Sequence, residues 1–550
     1  MIDKLGNFFW DTSEDPVNFP EEIKKEFFYL SINNRNVFTD WLGKISKKYS
    51  NNIEWWIKIP ATRDPFISNL YKSILIIEIL KNRKLSKRIK FLTVDSKGLF
   101  FTILKFKIFD KKKLRLKEKK NKNLSLINYL LFSFLTFLLI KFFSKKRSLK
   151  FSSKITLIDT FSDYRFKKDD LVYPGLEEAL NKKSNTKFYF VPNFFPSKNI
   201  FNVIRNIFFF SKKNYIFKEN FLSFFNYISC VRKTLSKKLK NNSAKFNNVN
   251  LSAIINEELN SNKHFYSEFL ARVNLAFVEK LKEQNLDVKK VINRFENQPM
   301  DKAWNYGFRS HFPNAEVIGF QGFFYYPHFP HQSPTTYEQK AKVVPKKIIV
   351  TGKAFKKPRQ EFDRKTKVVL GPSLGKQNFL KKIKKAYDFK FVLALCGVKA
   401  LDEKMLQWSL GVLKKNQNLT LVIKPHPILS INNILNKYSQ KIRDRITMSY
   451  HSVDKLLEKS EVIISSGPTS IVLESLVYGC KLFYLVLDPN DSLIIKKIPK
   501  SKKYLTFINN ESDLLKEMVK FNKKRFIKKA NNLNYYFFTK KNNKNIKIFF

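Results

Sequence analysis

The chain has 550 residues, of which 43% are hydrophobic, so it can form two or three domains with packed cores. Its 104 Lys and Arg residues against 46 Asp and Glu give a formal net charge of +58, which favours polyanionic partners such as nucleic acids or anionic membranes. No helix-turn-helix, zinc-finger or RNA-recognition motif accompanies this charge, and AT-rich coding also yields such a Lys-, Asn- and Phe-rich composition. We therefore expect no specific nucleic-acid partner.

The N-terminal stretch MIDKLGNFFWDTSEDP contains acidic residues and lacks the apolar run of a signal peptide. The cysteines, Cys230, Cys396 and Cys480, are widely separated and form no C-x-x-C pair, so they predict neither a disulfide framework nor a zinc site. Both observations fit a reducing compartment, and we expect a cytoplasmic protein.

Residues 124–140, LSLINYLLFSFLTFLLI, contain no charge and are flanked on both sides by Lys- and Arg-rich segments. A helix of this length reaches only the lower limit for crossing a bilayer, and basic residues on both sides give no inside–outside asymmetry. We interpret 108–148 as a basic and apolar insert whose helix lies on the anionic inner face of the membrane. A buried core helix is the alternative.

The remaining chain alternates between buried strands and helices of three-to-four periodicity. Such alternation indicates parallel, doubly wound sheets, so we predict an α/β fold with two Rossmann-like blocks that meet near the charged stretch 345–370. The predicted domains are residues 1–345, residues 346–525 and a basic-aromatic tail at 526–550. The predicted strands are 90–96, 155–161, 187–195, 315–324, 389–397, 419–427, 461–466 and 480–487, and the main predicted helices are 263–283, 404–416, 453–460 and 468–479.

The motif KPHP follows one of these strands at its carboxyl end. In open α/β sheets, ligands bind in the crevice outside the carboxyl ends of the strands. Lys424 and His426 stand at this position, and Pro425 and Pro427 make the turn rigid. The motif therefore indicates a ligand site, although a histidine in a structural turn would give the same pattern.

The motif SSGPTS, residues 465–470, follows the next strand. Pro468 suits the first helical position with Ser466 or Gly467 as the cap, and such a helix start offers hydroxyl and N–H groups to a phosphate. Ser470 and Glu474 are four residues apart and share a helix face. Glu474 cannot favour the phosphate, but it can accept hydrogen bonds from ribose or sugar hydroxyls. An ordinary capped helix is the alternative interpretation of this motif.

The segments IKPHP and EVIISSGPTSIVLESLVYGCKLFYL together resemble the nucleotide-binding half of GT-B glycosyltransferases, especially polysialyltransferases and capsule Kdo transferases. The N-terminal half is similar to O-antigen-type surface carbohydrate biosynthesis proteins through ITLIDTF, LVYPGLEEAL, FYFVPNFF, RFENQPMDKAWNYGFRSHFPNAEVIGFQGFFYYP and PKKIIVTGKAFKK. The resemblance implies two Rossmann-like domains facing a cleft. It also implies that the donor phosphate is held by a His-Pro motif and a Ser/Thr-rich helix start, here His426, Pro427, Ser465, Ser466, Thr469 and Ser470.

Inverting GT-B chemistry needs a base on the acceptor side. Glu296, in FENQP, and Asp159, at the end of a predicted strand, are the candidates, and Asp159 serves equally well as a helix cap. The family often has a histidine where this chain has Gly322, and His328 and His331 lie close behind. No D-x-D occurs in the chain, which argues against a required metal ion.

These observations predict a transferase that moves a sugar from a nucleotide donor to a glycan or lipid-linked glycan acceptor. A CMP-activated ulosonic acid is the favoured donor, followed by a UDP- or GDP-sugar, and no cofactor is expected. We expect the protein to be peripheral on the inner face of the cytoplasmic membrane. The alternatives are a non-catalytic GT-B-fold protein that binds glycans and a basic nucleic-acid-binding protein.

Overall fold

The computed structural model describes residues 7–117, 123–144, 154–162, 170, 172–183, 186–195, 200–236, 239–324, 326–327, 329–380, 388–427, 429–489, 504–523 and 533–550. His328 of the predicted loop, residues 118–122 and 145–148 of the predicted insert and residues 526–532 of the predicted tail lie outside the described residues.

The N-terminal region forms a small parallel sheet of order β1-β2-β3 with helices packed around it. The predicted strand at 90–96 is β2 of this sheet and therefore belongs to neither large sheet. The elements are β1 (Phe8–Asp11), α1 (Glu21–Asn33), α2 (Arg35–Lys47), α3 (Ile53–Trp56), α4 (Leu70–Lys81), α5 (Arg83–Lys87), β2 (Ile89–Val94), α6 (Lys97–Lys105), β3 (Leu114–Leu116) and α7 (Asn123–Phe143).

The first large sheet and its helices follow in the chain. The elements are β4 (Ile155–Ser162), α8 (Leu176–Lys183), β5 (Lys187–Phe194), α9 (Ile200–Ser211), α10 (Lys218–Phe221), α11 (Phe224–Leu235), β6 (Lys245–Phe246), β7 (Val249–Asn250), α12 (Ser252–Leu259), α13 (Phe265–Glu283), β8 (Val288–Arg294), α14 (Pro299–His311), β9 (Glu316–Gln321), α15 (Thr336–Lys340), β10 (Lys347–Val350) and β11 (Lys367–Leu370).

This sheet is six-stranded and parallel, with the order β11-β10-β9-β8-β4-β5, while β6 and β7 form a separate antiparallel hairpin. Alternate residues of its strands pack into different cores: Ile158, Ile292 and Ile318 lie in one, and Leu157 and Val291 in the other. Burial on both faces is typical of a doubly wound parallel sheet, and it explains why these strands are nearly continuous apolar runs.

The second large sheet comprises β12 (Phe389–Ala394), β13 (Leu421–Lys424), β14 (Ile446–Met448), β15 (Ser460–Ser465), β16 (Lys481–Leu485) and β17 (Leu505–Ile508). All neighbours are parallel and the order is β14-β13-β12-β15-β16-β17. Its helices, and those after it, are α16 (Lys399–Lys415), α17 (Asn432–Leu435), α18 (Gln440–Arg443), α19 (Val453–Lys459), α20 (Ile471–Val477), α21 (Glu511–Asn522) and α22 (Leu533–Phe537).

Two Rossmann-like sheets facing a cleft confirm the predicted α/β GT-B fold class. The domain boundary, however, lies later than residues 345–346, because β10 and β11 are strands of the first sheet. The charged residues between these two strands had suggested an interdomain hinge in this stretch. The connection between the sheets instead begins after Leu370.

The predicted C-terminal tail also returns to the first domain. The Ser373 N–H donates to the Thr539 carbonyl (2.9 Å), and the Thr539 N–H donates to the Ser373 hydroxyl (2.9 Å). Ile546 and Phe549 are buried in one core of the first sheet, where the Phe549 ring lies 5.8 Å from that of Phe320. The end of this segment is therefore packed into the N-terminal domain, while its helix α22 also contacts α20 of the second domain.

Candidate functional site

The strand orders fix where a ligand can bind. Numbered along the chain, the second sheet has the order 3-2-1-4-5-6 and the first has the order 2-1-3-4-5-6. In both patterns the connections leave in opposite directions at one point, where the carboxyl ends of two neighbouring strands open a crevice. That point lies between β4 and β8 in the first sheet and between β12 and β15 in the second.

A cavity of about 500 Å³ joins these two crevices. Its wall on the N-terminal side includes Glu296 and Gln298, which follow β8, and its wall on the C-terminal side includes Cys396, Pro468 and Ser470, which follow β12 and β15. A second cavity of about 470 Å³ adjoins Val398 and Pro468 and extends toward the small N-terminal sheet. The main cavity is therefore the interdomain cleft that the fold predicts.

The turn after β8 presents Glu296 to this cleft. Asn297 has a φ of 60°, a left-handed conformation that asparagine tolerates, and Pro299 is the first residue of α14. The buried Asp301 carboxylate accepts hydrogen bonds from the N–H groups of Glu296 (2.8 Å) and Gln298 (3.1 Å). The backbone at Glu296 is thus fixed, while its half-buried carboxylate contacts Arg294 and lines the cleft.

His331 and Asp64 lie beside Glu296 in the same wall. The Nδ1 atom of His331 is 3.7 Å from Oδ1 of Asp64, and the amide of Gln298 donates to Oδ2 of Asp64 (2.6 Å). Burial lowers the pKa of His331, so its imidazole is neutral at neutral pH and able to accept a proton. The N-terminal wall of the cleft therefore holds two groups that can accept a proton, the Glu296 carboxylate and the His331 imidazole.

A buried ionic cluster behind the cleft holds this wall together. The Glu338 carboxylate accepts from Arg63 (2.8 Å), from Lys302 (2.6 Å) and from the side-chain amide of Asn297 (3.0 Å). Arg63 also donates to the Ser333 carbonyl (2.9 Å). These bonds join three segments that are distant in sequence, and each contributes a residue to the cleft wall: Asp64, Glu296 and His331.

His426 lies against the loop after β12. Asp402 shapes that loop by accepting from the N–H groups of Cys396 (2.7 Å) and Gly397 (3.0 Å), and Gly397 has a φ of 85°. A Cβ atom at residue 397 would lie 2.5 Å from Nδ1 of His426, so the glycine lets the imidazole pack directly on the backbone. The neighbours of Gly397 line the cleft, and His426 therefore stands at its edge.

Lys424 ends β13 and is half-buried, and burial lowers its pKa. Among the described residues, no carboxylate pairs with this ammonium group. Pro427 is exposed in the turn after His426. The KPHP motif therefore brings one cation and one imidazole to the carboxyl edge of the second sheet. This is the position that the sequence analysis predicted for them.

The SSGPTS motif differs from the expected helix start. The Ser465 hydroxyl donates to the Ala394 carbonyl (2.8 Å), and the Ser466 hydroxyl donates to the Leu485 carbonyl (2.6 Å), so both fully buried side chains tie neighbouring strands together. Helix α20 begins at Ile471, which leaves Pro468 in the preceding turn rather than at the first helical position. Gly467, with a φ of 73°, makes that turn.

The same turn contacts both domains. The hydroxyl of Tyr326 donates to the carbonyl of Thr469 (3.2 Å) across the cleft, and Ser470 lies in the cleft wall. Glu474, one helical turn deeper, is fully buried, and its Oε1 atom pairs with Lys376. Its Oε2 atom has no hydrogen-bond partner among the described residues. Lys376 thus brings a cation into the cleft from the segment that connects the two sheets.

Asp159 is not part of this cleft. Strand β4 continues three residues beyond it, so Asp159 is not at a strand end, and its carboxylate accepts from the Asn193 amide (2.5 Å) in the domain interior. Burial raises the pKa of Asp159 to about 7, against the opposing effect of the Lys218 charge. The predicted strand 155–161 agrees with β4 to within one residue, so Asp159 lies inside the strand and was wrongly taken for its end.

Comparisons with known proteins give distant likenesses only. No protein-family model matches the sequence, and no curated protein matches it. A putative UDP-N-acetylglucosamine 2-epimerase from Listeria monocytogenes is 13% identical with a TM-score of 0.39, covering 68% of this chain and 89% of its own. MurG from Acinetobacter baumannii is 9% identical with a TM-score of 0.36, covering 67% and 91%.

A glycosyltransferase from Rickettsia africae is 11% identical with a TM-score of 0.37, covering 68% of this chain and 89% of its own. Likenesses this distant transfer no activity to the chain. The strand order of the two sheets and the cleft between them carry the fold assignment.

The sequence motifs did not indicate that three further residues, Asp64, His331 and Lys376, line the cleft. Asp64 and Lys376 lie in ATRDPF and SLGKQN, outside any motif, and His331 was one of two histidines in a Pro-rich loop. Breaker-rich composition around Lys376 was the one available signal, because Gly and Pro clusters often mark loops at functional sites.

Proposed function

We propose that this chain is an inverting GT-B glycosyltransferase of bacterial surface polysaccharide biosynthesis. Its donor is a nucleotide sugar, with a CMP-activated ulosonic acid favoured over a UDP- or GDP-sugar. The observation that supports this proposal most directly is the chemistry of the cleft. Basic groups for deprotonating an acceptor line the N-terminal wall, and groups suited to a phosphate lie on the opposite side.

The donor phosphate is assigned to the C-terminal side. In this proposal Lys376, Lys424 and His426 supply positive or hydrogen-bonding groups around the turn 466–470. Glu474 is assigned to a ribose or sugar hydroxyl through its Oε2 atom, which has no hydrogen-bond partner among the described residues. Because the Ser465 and Ser466 hydroxyls donate to backbone carbonyls of the neighbouring strands, their proposed contribution is to hold the start of the turn against the sheet. Thr469 and Ser470 are the hydroxyl residues assigned to the donor.

The acceptor hydroxyl is assigned to the N-terminal side, next to Glu296. In the proposed step, the Glu296 carboxylate takes the hydroxyl proton, the hydroxyl oxygen bonds to the anomeric carbon, and the bond from that carbon to the phosphate oxygen breaks. The departing electron pair stays on the phosphate, where Lys376 and His426 stabilise the charge. Attack from the face opposite the leaving group inverts the anomeric centre, and the proposed step needs no metal ion.

The proposed location is the cytoplasm, at the inner face of the cytoplasmic membrane, with a glycan or lipid-linked glycan as acceptor. The proposal rests on the apolar insert and on the net charge of +58. Helix α7 includes the window Leu126–Phe143, which has a mean hydropathy of 2.0 and is 22% buried. This window is long and apolar enough to cross a membrane. The core helices of many soluble proteins meet the same criterion of length and composition.

A melting-temperature screen with CMP, CDP, UDP and GDP tests the donor assignment. A ligand that binds only the folded state stabilises it by about 2.7 kcal/mol at a hundredfold excess over its Kd. We expect the cytidine nucleotides to raise the melting temperature most. If no nucleotide raises it while RNA crosslinks efficiently to the protein under ultraviolet light, the transferase proposal is wrong and the basic surface binds nucleic acid.

Replacing His426 by alanine should lower the transfer rate at least about tenfold, because one charge-assisted hydrogen bond to the leaving phosphate contributes about 1.5–3 kcal/mol. The matched control is His451→Ala, which removes an exposed imidazole outside the cleft in the same domain. Rates are measured with donor and acceptor at saturation, and folding is checked by melting temperature. Equal rates for the folded His426→Ala and His451→Ala proteins would remove His426 from the mechanism.

A further inference from the structure

Three helices of the N-terminal domain expose an unusual number of large apolar side chains. Helix α9 exposes Phe201 (75%) and Phe208, and α11 exposes Phe225 (83%) and Ile228. Helix α7 contributes a further set along its length. These side chains are Ile127, Leu131, Phe134, Leu135, Phe142 and Phe143.

Ring contacts link α7 to both of the other helices, and we call the exposed apolar side chains of the three helices the aromatic face. The rings of Phe143 on α7 and Phe208 on α9 are 5.7 Å apart, and the rings of Phe134 on α7 and Phe224 on α11 are 6.3 Å apart. All four side chains are exposed, so the contacts bridge neighbouring helices at the protein surface. Two of the three helices lie outside the apolar insert that the sequence singled out.

The charged residues within the three helices have one sign. The sequences of α7, α9 and α11 contain no Asp or Glu. Arg205 and Arg232 are exposed on α9 and α11, each four residues after an exposed apolar residue, and Lys212 follows α9. Aromatic residues interleaved with cations and without acids complement a surface that is apolar inside and anionic outside.

We propose that the aromatic face docks on an anionic lipid bilayer, with the three helices lying in the interface and the domain remaining on one side. The packing of α7 supports this orientation over a spanning one. Phe137 and Ile140 are buried in the domain, and the Ser133 hydroxyl is 2.8 Å from that of Tyr227 on α11. A helix held along the domain surface by these contacts presents only its other side to lipid. The proposal stands on this surface and does not require the transferase activity.

Vesicle flotation of the full chain tests the proposal, using phosphatidylcholine vesicles with and without phosphatidylglycerol. The wild type should float with the anionic vesicles and at least about tenfold less with the neutral ones, because polybasic surfaces bind in proportion to anionic lipid. The double variant Phe201→Ser/Phe225→Ser should lower binding to anionic vesicles at least about tenfold, since each ring loses its burial in the interface. Arg205→Glu/Arg232→Glu should lower it similarly.

Tyr450→Ser is the matched control, because it removes an aromatic side chain that is 78% exposed in the other domain. It should bind like the wild type, and all variants should keep the wild-type melting temperature because the replaced side chains are exposed. Binding that is unchanged by both double variants would overturn the proposal. Self-association in sedimentation experiments that Phe201→Ser/Phe225→Ser abolishes, without any vesicle binding, would overturn it in favour of an interface between copies of the chain.

Discussion

Glu296→Gln should reduce sugar transfer by about 10²- to 10⁴-fold while leaving nucleotide binding intact. General base catalysis contributes about this much, and the substitution removes proton acceptance with almost no change in shape. The backbone at Glu296 is held by Asp301 and not by its own side chain, so the turn should survive. Single-turnover rates and nucleotide-induced melting shifts, measured on the same preparation, separate the two effects.

Glu283→Gln is the matched control, because Glu283 is an exposed carboxylate paired with Lys280 at the end of α13. It should retain full activity. If Glu296→Gln also retains activity, Glu296 is not the base, and His331→Asn then tests the neighbouring imidazole. Because the pKa of His331 is lowered, its imidazole would stay unprotonated at lower pH than an ordinary histidine. If His331 is the base, the transfer rate should therefore begin to fall only at a correspondingly lower pH.

Glu338→Gln should destabilise the fold by about 3–5 kcal/mol, the largest effect on stability that we expect from a single conservative substitution. It leaves the charges of Arg63 and Lys302 buried without their shared carboxylate, and uncompensated buried charges cost about this much. Chemical denaturation monitored by circular dichroism measures the change. Glu178→Gln, in an exposed pair with Lys182, should leave the stability nearly unchanged, because exposed ion pairs contribute little.

The same carboxylate makes stability depend on pH. Burial by itself raises the pKa of Glu338, but the charges of Arg63 and Lys302 outweigh it and lower the pKa from 4.5 to about 2. The resulting stabilisation, about 3 kcal/mol, is complete above the unfolded-state pKa near 4.5 and is lost as the pH falls toward 2. Glu338→Gln should flatten this part of the stability profile, and an unchanged profile would contradict the assignment.

The sequence predicted the two sheets because buried parallel strands are short apolar runs bounded by turn residues. Most predicted strands of both sheets, such as 155–161 and 480–487, coincide with observed strands to within a few residues. Periodicity does not reveal which strands pair. The sequence therefore did not show that the strand at 90–96 belongs to a separate small sheet. The predicted domain boundary, which was based on charged residues, wrongly placed β10 and β11 outside the first domain.

A residue that follows a strand directly is carried to the sheet edge by the chain itself. Ser470 reaches the cleft wall and His426 its edge in this way, each after a predicted strand, whereas Glu296 follows β8, which was not among the predicted strands. Asp64 and Lys376 reach it through tertiary packing, which no local pattern encodes. The sequence also does not show which group a serine hydroxyl will bond. The hydroxyls of Ser465 and Ser466 donate to backbone carbonyls and not into the cleft.

The return of the segment 533–550 to the first domain has a consequence for how the chain folds during translation. Ile546 and Phe549 fill the core beside Tyr173 and Phe320, which are made hundreds of residues earlier. Domains usually fold one after another as the ribosome synthesises them, from the N-terminus onward. Here the core of the earlier domain stays incomplete until residues 546–549 have been synthesised. A ribosome stalled after the second sheet would therefore hold a nascent chain whose first domain remains open to proteases and chaperones.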